Sequence, residues 1–442
     1  MIKGTQQGKQ KRTRRCLMKS KLSWMTVVLA VIMIAALLVS CAPQDAEAPE
    51  SAQKEVKVGL SGCLTGPIAA MAQHWAYGIL DYLRYVNDEL GGLEYTTADG
   101  KTEYVKLDIA IEDNAHDIGR AIHSYKRLAD WGALTMYYGG GGSVVMPILE
   151  SIHRDKMSGI YGTIAEPHAM AEDPIYTMAE SLTYTDEVHV FLDWMMEGWN
   201  ESRPPRVAIV PVDSPHNRAQ LPGINVEYAE KIGAEYVGTE WPQAAVTDFS
   251  IELKRLEAAG TDWIYMTHIY SGAAMILKDM ARLGLQDKMN ICVCSHALDE
   301  GMVNLAGEAA EGVYGIAVCA FGWEEVPGVL LSKEIASIYR PEYEVTMVYT
   351  RGTTMARVMV ESVRSALEEV GYENINREEV WKGLMSINNF DVGGTMPNIS
   401  IDPEYPILTD QMRFAVIEKG KINPVSDWKT GPYILKGVEP PH

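Results

Sequence analysis

Four consecutive glycines and a hydroxyl, Gly139-Gly140-Gly141-Gly142-Ser143, follow an apolar, strand-like run at 134–138 and lead towards a helix. Bare backbone amides at such a place form a cradle for an anion such as a carboxylate. No Gly-Lys-Ser/Thr follows, so the run is not a nucleotide P-loop. A plain tight turn is the competing reading. Comparable segments at strand ends are Ser61-Gly62-Cys63-Leu64-Thr65-Gly66-Pro67, Tyr161-Gly162-Thr163, Asp213-Ser214-Pro215-His216, Thr267-His268-Ile269-Tyr270-Ser271 and Ser295-His296. Ser295, His296 and Asp299 are the residue types of a hydrolytic triad. Neighbours on one strand end rarely have triad geometry, however, and there is no Gly-x-Ser-x-Gly elbow. No histidine shows His-Glu-x-x-His or comparable spacing, so neither a metal nor another cofactor is expected. Glu112-Asp113 reads as a helix cap with favourable dipole rather than as paired acids for glycoside chemistry.

The elements that must position these loops alternate strand and helix patterns, which implies an α/β fold of parallel sheets covered on both faces. Strand-like runs lie at 56–60, 106–111, 134–138, 207–211 and 263–266, with a further strand through Cys292-Val293-Cys294. Helical runs are expected at 75–90, 118–131, 186–200, 223–232, 248–259 and 271–283. A folded part that begins near Lys54 is too long for one comfortable core, so two lobes are expected. Open α/β sheets bind ligands in the loops at the carboxyl ends of their strands.

The amino terminus has its own chemistry. Residues 22–40 form an apolar run preceded by Lys3, Lys9, Lys11, Arg12, Arg14, Arg15, Lys19 and Lys21, with no acid before Asp45. That is an export signal. Leu38-Val39-Ser40-Cys41 resembles a bacterial lipobox, which makes Cys41 the lipidated first residue of the mature chain; an uncleaved membrane anchor is the alternative. Residues 42–53 are small, acidic and Pro-containing, a disordered tether. With 39 basic and 59 acidic residues the chain carries a formal charge of −20, and removing the signal makes it more acidic still. Such a charge argues against nucleic acid or an anionic lipid surface as partner. Cys63, Cys292, Cys294 and Cys319 read as buried structural thiols, because strand residues two apart share a face without disulfide geometry.

Taken in order, several short motifs resemble the extracytoplasmic solute-binding proteins of the branched-chain amino acid type, which feed ABC importers. They are Val58-Gly59-Leu60-Ser61-Gly62-Cys63-Leu64-Thr65-Gly66-Pro67, Leu305-Ala306-Gly307-Glu308-Ala309-Ala310-Glu311-Gly312-Val313, the helix at 343–371, Asp391 to Gly394 with Ile399-Ser400-Ile401-Asp402, and Met412-Arg413-Phe414-Ala415-Val416-Ile417 with Gly420-Lys421. The likeness implies a type I periplasmic-binding-protein fold: two doubly wound parallel-sheet lobes joined by three hinge crossings, closing on a ligand. One lobe would hold 54–180 and 317–395, the other 181–316 and 396–442, after a signal peptide (1–40) and tether (41–53). The implied partners are a small amino acid or carboxylate, ABC permease subunits, and the membrane through the N-terminal lipid. A sensor reporting to a membrane receptor or kinase is the alternative role.

The resemblance places the ligand carboxylate on Gly140, Gly141, Gly142 and Ser143 and on Tyr161, Gly162 and Thr163, with Thr65 nearby. It places the ammonium against an aromatic near Tyr270 and an acid of the opposite lobe. Here the second loop is mostly glycine, and the acid's position holds Ser295 or His296, with Asp299 and Glu300 further on. A buried ammonium without a carboxylate is costly. Either the ligand lacks an α-amino group or a different acid serves. Trp75, Tyr137, Tyr161, Tyr184 and Tyr270 lie in or near predicted loops and suit a flat or aromatic carboxylate.

Overall fold

The computed structural model describes residues 54–162, 175–211, 222–241 and 247–434. The first part of the chain runs β1 (Glu55–Gly62), α1 (Ala69–Asp88), β2 (Leu93–Thr96), β3 (Thr102–Asp113), α2 (Ile118–Trp131), β4 (Thr135–Tyr138), α3 (Gly142–Val145), α4 (Leu149–Asp155), β5 (Ser158–Tyr161) and β6 (Thr177–Ser181). Next come α5 (Tyr184–Gly198), β7 (Arg206–Pro211), α6 (Pro222–Lys231), β8 (Glu235–Thr239), α7 (Ser250–Ala258), β9 (Trp263–Thr267), α8 (Tyr270–Leu283), β10 (Asn290–Val293), α9 (Glu300–Ala306) and β11 (Tyr314–Ala317). The last part holds α10 (Pro327–Tyr339), α11 (Met347–Val370), α12 (Arg377–Met385), β12 (Ile407–Thr409), β13 (Gln411–Glu418), β14 (Lys421–Pro424) and β15 (Lys429–Thr430).

Two sheets result. The first has the order β12-β6-β5-β4-β1-β3-β2, and the second β14-β13-β11-β10-β9-β7-β8 with β15 on β13. Strands β12 through β3 of the first sheet pair in parallel, as do β8 through β11 of the second. Strands buried on both faces read as unbroken runs rather than alternating ones, and every residue of β4, β5 and β6 is buried. In each sheet the strand order reverses about the first strand: between β1 and β4, and between β7 and β9. Those reversals are where an open sheet leaves a crevice. The loops after β1 and β4, and the loop after β9, lie at those reversals.

The chain passes between the sheets after β6, after β11, and between β12 and β13. Helices α10 to α12 return to the first sheet's side, where α11 packs on α1, β2 and β5. The third passage differs from the expected one. Residues 407–409 were assigned with 396–442 to the second lobe, whereas Ile407 and Thr409 pair with Ala179 and Ser181 of the first sheet. An isolated bridge between Phe390 and Ile399 ties the preceding loop to that side as well.

The expected helix at 118–131 matches α2, and the others agree within a few residues except α1, which starts six residues before Trp75. Asp117, not Glu112-Asp113, caps α2, accepting from the Arg120 amide. Cys63, Cys292, Cys294 and Cys319 are free and buried. Among the described residues no helix is long and apolar enough to cross a membrane; Cys41 and its signal lie outside the described residues.

Helices α1 and α11 cross at two glycines. A Cβ on Gly78 would stand 2.3 Å from the Tyr349 carbonyl oxygen, and one on Gly352 2.4 Å from that of Trp75. The crossing sets Trp75 and Arg351, one turn or one residue away, against each other. Gly78→Ala should therefore lower the unfolding free energy by about 1–3 kcal/mol through overpacking, read as a lower urea midpoint. An unchanged midpoint would show that the helices can part without cost.

Candidate functional site

The loops of the two sheets meet around Trp75 and Arg351. Arg351, on α11, is fully buried, as is Glu180 on β6. The guanidinium Nε donates to Glu180 Oε1 and Nη2 to Oε2, while Nη1 donates to the Ser295 carbonyl at 3.1 Å. Its face lies 4.5 Å from the centre of the Trp75 ring. Trp75 also meets His296 at 5.4 Å between ring centres, and His296 meets Tyr184 edge-on at 5.6 Å. Gly162 closes against the same imidazole, since a Cβ there would lie 3.6 Å from His296 Nε2. Residues from α1, β6, α5, α11 and the ends of β5 and β10 thus converge on one spot.

Ser295 is fully engaged. Its hydroxyl donates to Glu187 Oε1 at 2.5 Å and its amide to Oε2 at 3.2 Å; the Tyr265 hydroxyl adds a third donor at 2.9 Å. Burial outweighs these bonds and pushes the Glu187 carboxyl up to about 7. Ser295 gives its proton to Glu187 rather than to His296, whose Nδ1 stands 3.3 Å away. That is the reverse of what a serine nucleophile needs.

The glycine run is braced from within. Gly140 and Gly141 have φ of 106° and 61°, and a Cβ on Gly140 would meet Val144, His116 and Cys63 within 3.1 Å. Gly142 begins the single turn α3 and is buried. The Ser143 hydroxyl donates to the Gly140 carbonyl at 2.9 Å and lies 2.7 Å from His116 Nε2. Asn114 holds the base of the loop, donating to the Ser61 and Gly139 carbonyls at 3.1 and 3.0 Å. Thr65 is exposed, and its hydroxyl donates to Asp113 at 2.6 Å. Tyr161 is buried at the end of β5, and Tyr270 is buried at the start of α8. Thr163 and the 213–216 segment lie outside the described residues.

Of the expected residues, Gly162, Ser295 and His296 come together, Tyr161 ends the strand before Gly162, Gly140 to Ser143 follow the adjacent strand β4, and Thr65 serves its own loop. Arg351, Glu180 and Glu187 were not anticipated. Each stands inside a long buried stretch, since Thr350 to Ala356 and 175–192 are wholly buried, a property that the folded chain and not the sequence reveals. Such charges require partners. A second acidic pair stands beside the site. Glu300 accepts the amides of Gly322 and Met347 at 3.2 and 3.1 Å, and burial next to Asp299 pushes it up to about 8.

The chain belongs to the periplasmic binding protein family, whose model matches residues 55–421. Its fold is the type I fold of that family. It is similar to the structure of a branched-chain amino acid ABC transporter from Thermus thermophilus with bound valine (22% identity, 87% of this chain and 99% of that one, TM-score 0.75). It is also similar to an ABC transporter substrate binding protein of Aeropyrum pernix (19%, 87% and 97%, 0.73) and to a fatty acid ABC transporter substrate-binding protein from Thermomonospora curvata (18%, 88% and 95%, 0.69). No curated protein matches the chain in sequence.

The buried groups set a pH profile. Glu187 and Glu300 hold their protons in the folded chain well above the ordinary carboxyl value of 4.5. Their contribution is present below 4.5 and is lost as pH rises through about 7 and about 8. His189 and His268 are pushed down to about 4 by burial, and His74 below 6.5 in part against the pull of Asp299. These imidazoles favour the folded state increasingly as pH rises towards 6.5. Stability should peak near neutral-acid pH and fall by about 1–2 kcal/mol between pH 6.5 and 8, and Glu187→Gln should flatten part of that fall. Urea titrations across pH 5–8.5 check it; stability rising to pH 8 would contradict the burial argument.

Proposed function

We propose that the chain is the capturing subunit of an ABC importer, closing two lobes, one built on each sheet, on an amino acid or related small carboxylate. The observation that carries this reading is the convergence of strand-end residues of both sheets on Trp75, His296 and Ser295, at the reversals where such sheets bind ligands. The anionic end of the ligand docks along Gly140–Ser143 and Gly162–Thr163, and Tyr270 and the 295–299 segment close from the second sheet. The role is binding, without catalysis: Ser295 is spent on Glu187. Similar structures, a valine-bound branched-chain amino acid ABC transporter among them, support the transported class. The fatty acid protein of the same fold warns that the fold alone does not choose the ligand. Leu38-Val39-Ser40-Cys41 supports extracytoplasmic anchoring through an acylated Cys41.

A thermal-shift screen of the detergent-extracted protein tests the reading. Branched-chain and aromatic amino acids and their amino-free acids form the panel. A true ligand at about 100 times its Kd should add about 2.7 kcal/mol of stability, and a panel without a single shift would refute small-carboxylate capture. In the expressing cell, Cys41→Ala should abolish fatty-acyl labelling and move the protein to the soluble fraction; persistent labelling would refute the anchor.

A further inference from the structure

Two acids, Asp299 and Glu300, stand side by side at the start of α9. Glu300 reaches off its own helix: one carboxyl oxygen accepts the Gly322 amide at 3.2 Å and the other the Met347 amide at 3.1 Å. Gly322 follows the second passage between the sheets, and Met347 begins α11, which packs on α1, β2 and β5 of the first sheet's side. One side chain of the second sheet's side therefore spans the passage.

Asp299 is only 3% exposed. Its Oδ1 caps α9, accepting the Gly301 amide at 2.7 Å, and among the described residues no backbone or hydroxyl donor reaches its Oδ2. A buried acceptor of this kind needs a donor. Glu300 supplies it: the two side chains hydrogen-bond each other, and burial, then the Asp299 charge, push the Glu300 carboxyl up to about 8. The pair holds one proton between its two carboxyls near pH 7.

The groups packed around the pair bring no cation to take that proton's place. His74 on α1 is kept neutral near pH 7 by burial, and its Nδ1 lies against the hydroxyls of Tyr343 and Thr346. Burial and then the Asp299 charge raise the phenols of Tyr270 on α8 and Tyr343 ahead of α11. Arg340, whose charge reaches Tyr343, is bonded to Asp81 at 2.5 and 3.2 Å. Glu324, two residues past Gly322, is paired with Arg413.

We propose that the proton shared by Asp299 and Glu300 latches the start of α9 across the second passage, and that its loss lets the two lobes part more readily in alkaline solution. Two adjacent carboxylates buried without a cation are costly, and the cost is relieved when Glu300 leaves the two amides for water. Those amides favour an ionised Glu300, but burial and Asp299 outweigh them. A carboxyl free in water titrates near 4.5, so the latch is at full strength below that value and is lost as pH rises through about 8. The latch goes beyond ligand capture, since it acts whatever the ligand is.

Hydrogen exchange of the full chain, read by mass spectrometry at pH 6.5 and 9 and corrected for intrinsic rate, tests the latch without any ligand. In the wild-type protein, peptides covering 318–324 and 344–350 should lose protection about tenfold or more at the higher pH, beyond any loss in peptides of β1 and β4. Glu300→Gln should keep that protection, because its amide donates to Asp299 Oδ2 at any pH and its carbonyl still accepts at the passage. Should that variant not fold, Asp299→Asn, which removes the like charge and still caps the helix, should keep it likewise. Equal losses in wild type and variant would overturn the latch. So would a wild type whose two segments lose no more than β1 and β4 do. Either failure leaves small-carboxylate capture standing, because no ligand enters the measurement.

Discussion

The contact on which the rest depends is the ion pair between Arg351 and Glu180. Both side chains have no exposed surface. Taking two such charges out of water costs several kcal/mol each, and only good geometry offsets it. Here the fork of the guanidinium meets both carboxylate oxygens, its third nitrogen reaches the Ser295 carbonyl, and its face lies on Trp75. The pair joins the last strand before the first passage, the long helix α11 and a strand end of the second sheet. Loss of either partner would leave a buried charge uncompensated, a defect of about 3–5 kcal/mol. The elements that build the cleft are therefore held by an interaction that tolerates neither water nor misalignment.

Around that anchor the two faces of the cleft differ in kind. The first-sheet loops are braced internally: Asn114 ties Ser61 to Gly139, and Ser143 turns back on Gly140 and His116. Such bracing fixes the backbone groups of the loop in place, so a group that met them would pay a smaller ordering cost. The second-sheet face carries the side chains that differ in charge and chemistry, Ser295 over Glu187 and Asp299 beside Glu300.

Glu300 connects the site to the passages between the sheets. Its carboxyl accepts amides from Gly322, just after the second passage, and from Met347, at the start of α11. Those two stretches touch, since a Cβ on Gly322 would stand 1.8 Å from the Val345 oxygen. The start of α9 thus ties the second sheet to the stretch after the second passage and to the start of α11.

Much of this was legible in the residues. The strand and helix periods, the glycine run after β4, the export signal and the order of short motifs determine an α/β clamp with its loops at the strand ends, because patterning and turn chemistry are local properties. The partners of Arg351 are not local: Glu180 and Ser295 lie 171 and 56 residues away. The same holds for Glu187, which occupies Ser295 across 108 residues. Sequence shows that a buried charge needs a partner; only the folded chain decides which one it finds.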